Sequence, residues 1–209
     1  MKKMSDRIDL YNRYYTERNF DRAEVFLALR EKYQIQDVLY PGSFVHITPA
    51  FIFPHVVFVD NDKNAKRFFN NLDQVKRIIE AKKDYTEEPT IEFLGQNYQA
   101  PLPLAENKID LLISHYAGII SQPCKQYLRV GGLLLVNNSH ADAGVAYLDK
   151  DYALIATIDP NRKSSILETN LHQYFIPQKQ PVSINDLIIS GKGIGYTKTA
   201  DLYLFQRIA

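Results

Sequence analysis

Five histidines, one cysteine and several carboxylates are the side chains of this 209-residue chain best suited to chemistry. His46, His115 and His140 each follow a short apolar run, and His172 lies in a late irregular stretch. Ser114, Asn138 and Asp142 stand near the second and third of these. Neutral imidazoles beside a carboxylate can hold a divalent metal, or one imidazole can take up a proton. No His-x-x-x-His pair places two ligands on one element, so no metal is assigned. Metal-assisted chemistry at His115 and His140 ranks below general-base work by His115. Asp60 ends a β-branched run, where a carboxylate can meet a ligand or cap the next helix, with Asp62 competing for the cap. Cys124, after Ser121 and Pro123, has no evident base partner and reads as packed.

These residues need elements to hold them, and the apolar pattern supplies candidates. Phe20-Asp21-Arg22-Ala23-Glu24-Val25 predicts a helix start, with Asp21 and Glu24 as a capping box and Phe20 stapled onto Val25. That helix runs to about Tyr33. Asp37 to Tyr40 reads as a buried strand ended by Pro41-Gly42, and His55 to Val59 as a second strand covered on both faces. Lys63 to Phe69 and Leu72 to Lys83 read as helices. Thr90 to Leu94 is a third strand and Ile109 to Ser114 a fourth. A helical segment is expected to end at Arg129-Val130, with Gly131-Gly132 terminating it before a fifth strand at Leu133 to Val136. Asp151 to Ile158 and Asp201 to Ile208 are the last two strands. The connection between them holds Pro160, Pro177 and Pro181, and Ser183 to Ile189 is expected to be a short helix. Gly191-Lys-Gly-Ile-Gly neither follows a strand nor opens a helix, so it is read as an approach to the last strand rather than a nucleotide loop.

Strands alternating with helices imply an α/β fold with a parallel sheet. Hydrophobic residues make up 45% of the chain and charged residues 23%, the balance of a globular protein. Lys+Arg 25 against Asp+Glu 24 gives a net charge of +1, so no whole-molecule field favours nucleic acid or an anionic membrane. One cysteine excludes an internal disulfide and a multi-thiolate zinc site, and fits a reducing compartment. No run approaches the roughly 20 apolar residues of a membrane span. The expected location is cytoplasmic. One domain is expected: residues 1–36 as a helical extension, 37–209 as the main domain, and 159–199 as an insertion before the last strand.

The order of these elements resembles the class I S-adenosylmethionine-dependent methyltransferases. Ile109-Asp-Leu-Leu-Ile-Ser is similar to that family's fourth strand, and Leu128-Arg-Val-Gly-Gly to its turn into the fifth. Leu202-Tyr-Leu-Phe-Gln-Arg is similar to its last, antiparallel strand. The resemblance covers about residues 20 to 209 and implies a Rossmann-like sheet of seven strands with the last antiparallel and helices on both faces. It implies S-adenosylmethionine as cofactor and a small-molecule or protein methyl acceptor. The family's first-strand loop has an acidic residue and then alternate glycines; here Tyr40, Gly42, Phe44 and His46 occupy those positions, so only Gly42 keeps the pattern. Asp60 matches the acidic residue that accepts hydrogen bonds from both ribose hydroxyls, with Asn61 beside it. Gln96 and Asn97 lie where adenine is contacted. Ser114 ends the fourth strand and His115 follows it, placed to deprotonate the acceptor. The other reading keeps the fold as a non-catalytic scaffold in which Phe44 fills the cofactor space.

Overall fold

The computed structural model describes residues 8–159 and 165–209. The lysine-bearing start and Pro160 lie outside the described residues. The chain divides into two compact units, Met1–Asn97 and Tyr98–Ala209.

In the first unit, strands β1 (Asp37–Pro41), β2 (His55–Val59) and β3 (Thr90–Leu94) run parallel in the order β3-β2-β1. Val38, Leu39, Val56 and Phe58 are buried, as strands covered on both faces require. Helix α1 (Ala23–Lys32) buries Val25, Phe26 and Leu29 on one face. The link from β1 to β2 contains one helical turn, α2 (Pro49–Ile52), with Pro49 at its start and all four residues buried. Helix α3 (Lys63–Phe69) is capped by Asp62, whose carboxylate accepts the Asn64 and Ala65 amides at 2.6 and 3.2 Å. Helix α4 (Leu72–Glu80) is capped by Asn71 and buries Val75, Ile78 and Ile79. Phe69 stacks on Phe93 at 4.3 Å and closes this core.

The expected capping box on α1 does not form. Arg22 occupies the cap in a left-handed conformation with no side-chain bond, and the Asp21 carboxylate accepts the Ala23 amide instead. The cause lies in His46, whose Nε2 is 2.8 Å from the Asp21 carbonyl and fixes the backbone there. A carbonyl only accepts, so Nε2 carries the proton, and Nδ1 accepts from the Tyr40 hydroxyl at 2.9 Å. Tyr15, in a π-helical turn at Asn12–Thr16, stacks on the imidazole at 4.3 Å. One buried histidine thus ties the N-terminal segment to β1.

In the second unit the strand order is β4-β5-β8-β6-β7. Here β4 is Ile109–Ser114, β5 Leu128–Val136, β6 Tyr152–Asp159, β7 Ser165–Leu167 and β8 Leu202–Arg207. β4 and β5 are parallel; β8 is antiparallel to both β5 and β6; β7 is antiparallel to β6. Helix α5 (Asp142–Leu148) follows β5, and α6 (Ile184–Ser190) opens with a Ser183–Asp186 capping box and ends at Gly191, φ +58°. Val145, Leu187 and Ile194 form the core between these two helices. Phe175 anchors the long return by stacking on Tyr147 at 4.3 Å and meeting Tyr203 at 4.9 Å.

Together this is an α/β fold with a mostly parallel sheet and helices around it, but with eight strands rather than seven. The extra strand, β7, is three residues long, too short for alternation to mark it. A second correction concerns Gly131-Gly132. They end no helix: only a single 3₁₀ turn, Lys125–Tyr127, precedes them, and β5 already starts at Leu128. The pairing steps from Ile109↔Leu128 to Leu111↔Leu133, so the glycines lie in a bulge. Gly131 has φ +82°, and a Cβ on Gly132 would sit 2.7 Å from Leu128 Cδ1 and 2.8 Å from the Arg129 carbonyl.

Gly132→Ala is therefore expected to destabilise the protein by about 1–3 kcal/mol, because backbone must move to admit the methyl group. Urea unfolding would read it, and an unchanged midpoint would contradict the bulge. His46 supplies a pH dependence. Burial depresses its pKa to about 3, with the Asp21 carbonyl bond opposing and Arg22 adding to the depression. The unfolded chain protonates this site near 6.5. Between those values the unfolded state binds more protons, so stability falls as pH drops from about 6.5 toward 3. In a His46→Gln variant that component of the slope should be lost from urea midpoints measured across the window.

Candidate functional site

Asp60 organises the carboxyl edge of the first unit's strands. Its own amide donates to the Leu94 carbonyl at 3.1 Å, which fixes it at the end of β2. Its Oδ2 accepts the Phe44 amide at 2.7 Å and its Oδ1 the Asp62 amide at 2.7 Å. The turn after β1 and the start of α3 thus share one half-buried carboxylate. Gly42, φ +64°, donates its amide to the Val59 carbonyl at 2.7 Å. Phe44 has φ +47°, a left-handed conformation that costs a non-glycine residue about 1–2 kcal/mol. The charge-assisted bond to Asp60 offsets that cost.

The side chains of this turn leave in two directions. His46 points into the core and is 2% exposed. Tyr40, bonded to it, is likewise buried. The Phe44 ring is half-buried and meets Tyr14 edge-on at 5.1 Å. Burial raises the pKa of the Tyr15 hydroxyl, and the charge of Asp60 raises it further. Asn61 is exposed and its Oδ1 accepts from Lys66 Nζ at 2.7 Å. Asn97 is exposed just past β3. Of the sequence candidates in this unit, Gly42 and Asp60 belong to one hydrogen-bonded turn, whereas Tyr40 lies beneath it.

In the second unit Ser114, at the end of β4, donates to Asp142 Oδ2 at 2.5 Å. Asp142 also accepts the amides of Ile120 and Ser121, each at 3.1 Å, and is wholly buried. Burial pushes its pKa up while these donors push it down. The carboxylate therefore clamps the loop between β4 and β5. His115, in that loop, is buried at 5% exposure, and Tyr116 beside it has φ +58° and is half exposed. His140 is exposed and bonded to Ser139 Oγ, and His172 is exposed in the 3₁₀ turn Leu171–Phe175. Among the described residues, no three His, Cys, Asp or Glu side chains converge as a metal ion requires. The Cys124 thiol is buried, and burial and then Asp142 push its pKa up to about 12.

Gly191-Lys-Gly-Ile-Gly serves packing. Gly191 ends α6, and a Cβ on Gly193 would lie 2.4 Å from the Asn138 carbonyl. Sequence reasoning passed over Asn137, beside the Asn138 it noted. Its Oδ1 accepts from Ser139 Oγ at 2.9 Å, while its Nδ2 is buried with no hydrogen-bond partner. Its place directly after a buried strand is legible in the sequence, but its unpaired amide is not.

No protein-family model matches the sequence, and no curated protein matches it either. Solved structures do. A chain in the complex of the Haloferax volcanii Trm112 methyltransferase activator with a protein described as a methyltransferase is 12% identical. That match covers 98% of this chain and 97% of the other, with a TM-score of 0.51. Geranyl diphosphate methyltransferase in complex with S-adenosylmethionine is 14% identical over 89% of this chain and 84% of that one, with a TM-score of 0.50. The yhhF protein of Escherichia coli, also described as a methyltransferase, is 11% identical over 90% and 86%, with a TM-score of 0.50. At such identities the likeness speaks to fold alone. The chain carries the Rossmann-like α/β fold of the class I S-adenosylmethionine-dependent methyltransferases.

Proposed function

We propose that the protein is an S-adenosylmethionine-dependent methyltransferase. The observation that carries this reading is the Asp60 carboxylate. An ionised carboxylate offers about four acceptor positions. The Phe44 and Asp62 amides use one on each oxygen, which leaves one on each for a ribose diol. The donor set fits: a fixed, half-buried acceptor at the end of β2 is what a nucleoside sugar requires. The turn also fits, because Phe44 keeps the left-handed backbone of a glycine and His46 is turned inward.

In this reading Asp60 holds the ribose, with Asn61 beside it, and the turn at Gly42, with Tyr40 packed beneath it, borders the methionine end. Asn97 contacts the adenine, and Ser114 keeps the β4 end in place through Asp142. Bound S-adenosylmethionine would supply an electrophilic methyl group. His115 would take up the proton that an acceptor gives up. The acceptor is a small molecule or a protein. Among the described residues, no helix is long and apolar enough to cross a membrane.

Calorimetric titration with S-adenosylmethionine and S-adenosylhomocysteine tests the reading directly, and no heat with either ligand would end it. Asp60→Ala should weaken S-adenosylhomocysteine by about 1.5–3 kcal/mol, from loss of hydrogen bonds to a charged acceptor. Asp62→Ala removes the α3 cap and should cost about 0.5–2 kcal/mol of stability while affinity holds. Equal affinity loss in both variants would mean that Asp60 acts only through the loop. His115→Gln should leave binding intact and reduce turnover by about 10²-fold or more once an acceptor is known.

A further inference from the structure

A cavity of about 550 Å³ opens in the second unit, lined by Tyr98, Ile119, Gln122, Pro123, His140 and Ile188 among others. Its walls come from the loop after β4, the turn after β5 and the end of α6, so it lies at the carboxyl edge of the parallel pair. The volume falls in the range of pockets that hold small molecules. Ile119 packs against the core of Val145 and Leu187, which fixes one apolar wall, and Ile188 is 43% exposed on another. Gly118, φ +108°, lets a third wall close, because a Cβ there would stand 2.7 Å from the Tyr98 hydroxyl. Among the described residues, no lysine, arginine, aspartate or glutamate lines the cavity.

Three of the polar side chains on the lining have their protons committed elsewhere. The Tyr98 hydroxyl donates to the Ala117 carbonyl at 2.5 Å. The Gln122 amide nitrogen donates to Asp149 Oδ2 at 2.9 Å and to Ser121 Oγ at 3.4 Å, which uses both its hydrogens and leaves Oε1 as the group it can offer. His140 follows from its neighbours. Asn137 Oδ1 receives the backbone amides of Tyr116 and Ser139 at 3.5 and 3.4 Å, which orients that side chain with its oxygen toward Ser139. The one proton of Ser139 Oγ therefore goes to this oxygen, at 2.9 Å. Ser139 Oγ, 2.9 Å from His140 Nδ1, must then accept, so Nδ1 carries the ring proton. Nε2 of this exposed imidazole keeps its lone pair. Each bond in the chain polarises the next, which strengthens Nε2 as an acceptor.

We propose that this cavity binds an uncharged, apolar small molecule through a hydroxyl that donates to His140 Nε2. Naming that molecule as the methyl acceptor rests on the methyltransferase reading, but the binding site does not. Phosphorylated and other anionic molecules do not suit a lining that presents acceptors and no cation.

Three probes of one shape separate the contributions: naphthol has the donor, its methyl ether only an acceptor, and naphthoate a negative charge. The readout is the ¹⁵N shift of His140 Nε2 in long-range ¹H–¹⁵N spectra of the full chain at about pH 8, above the ordinary imidazole range. The signal is assigned by its disappearance in His140→Phe. The free protein should show a protonated Nδ1 and a bare Nε2. Naphthol should move Nε2 saturably toward the protonated shift, and the other two probes should each bind at least about tenfold more weakly, a difference of ~1.4 kcal/mol. His140→Phe keeps a ring on the lining but removes the acceptor, and should abolish the preference for naphthol over its methyl ether. Ile188→Trp, at an exposed lining position, should block all three probes and leave the His140 tautomer unchanged. Equal binding of naphthol and its methyl ether, an unmoved Nε2, a protonated Nε2 in the free protein, or an unchanged preference in a folded His140→Phe would each overturn the proposal. S-adenosylhomocysteine titrated into the same samples separates the two readings. Binding of naphthol without S-adenosylhomocysteine keeps the cavity and removes the methyltransferase; the converse removes the cavity alone.

Discussion

A single carboxylate decides the geometry of the first unit's ligand edge. Asp60 receives one amide from the turn after β1 and one from the approach to α3. Without that pair of charge-assisted bonds, Phe44 would have no compensation for its left-handed backbone. The usual way to make such a turn is glycine, whose freedom is intrinsic. This chain obtains the same conformation from a partner sixteen residues away. The information that shapes the loop is thus outside the loop.

The second unit repeats the device with a different carboxylate. Asp142 gathers a hydroxyl and two amides from the end of β4 and its following loop, and holds them in a fully buried position. In both units a strand-end loop is fixed by an acidic side chain near the start of the next helix. One difference has functional weight. Asp60 is half-buried and retains acceptor capacity, whereas Asp142 is enclosed and works internally.

Much of the architecture could be read from sequence because its strands are short apolar runs bounded by turn residues. β1, β2, β3, β4, β6 and β8 fall where those runs predict them. The failures have physical causes. Leu128-Arg-Val-Gly-Gly has helix-end chemistry, yet pairing of Leu128 with Ile109 recruits it into a strand and turns the glycines into a bulge. The α1 cap was misread because its outcome depends on His46, 25 residues away from Asp21. Ser114 could be placed at a strand end from sequence, but its bond to Asp142 spans 28 residues and has no local signature. Asn137 escaped for the same reason: an unpaired amide is a property of surroundings, not of spelling.

Cys124 illustrates how burial can convert a chemically ordinary residue into an internal clock. It is the chain's one thiol, fully enclosed, with its pKa pushed up to about 12. Thiolate is the reactive form, so the folded protein presents neither access nor nucleophile to an alkylating reagent. Modification can proceed only through conformations in which the surroundings of the thiol open. The rate of labelling then reports how readily the segment around Cys124 opens, with no engineered probe and no competing sulfhydryl to correct for.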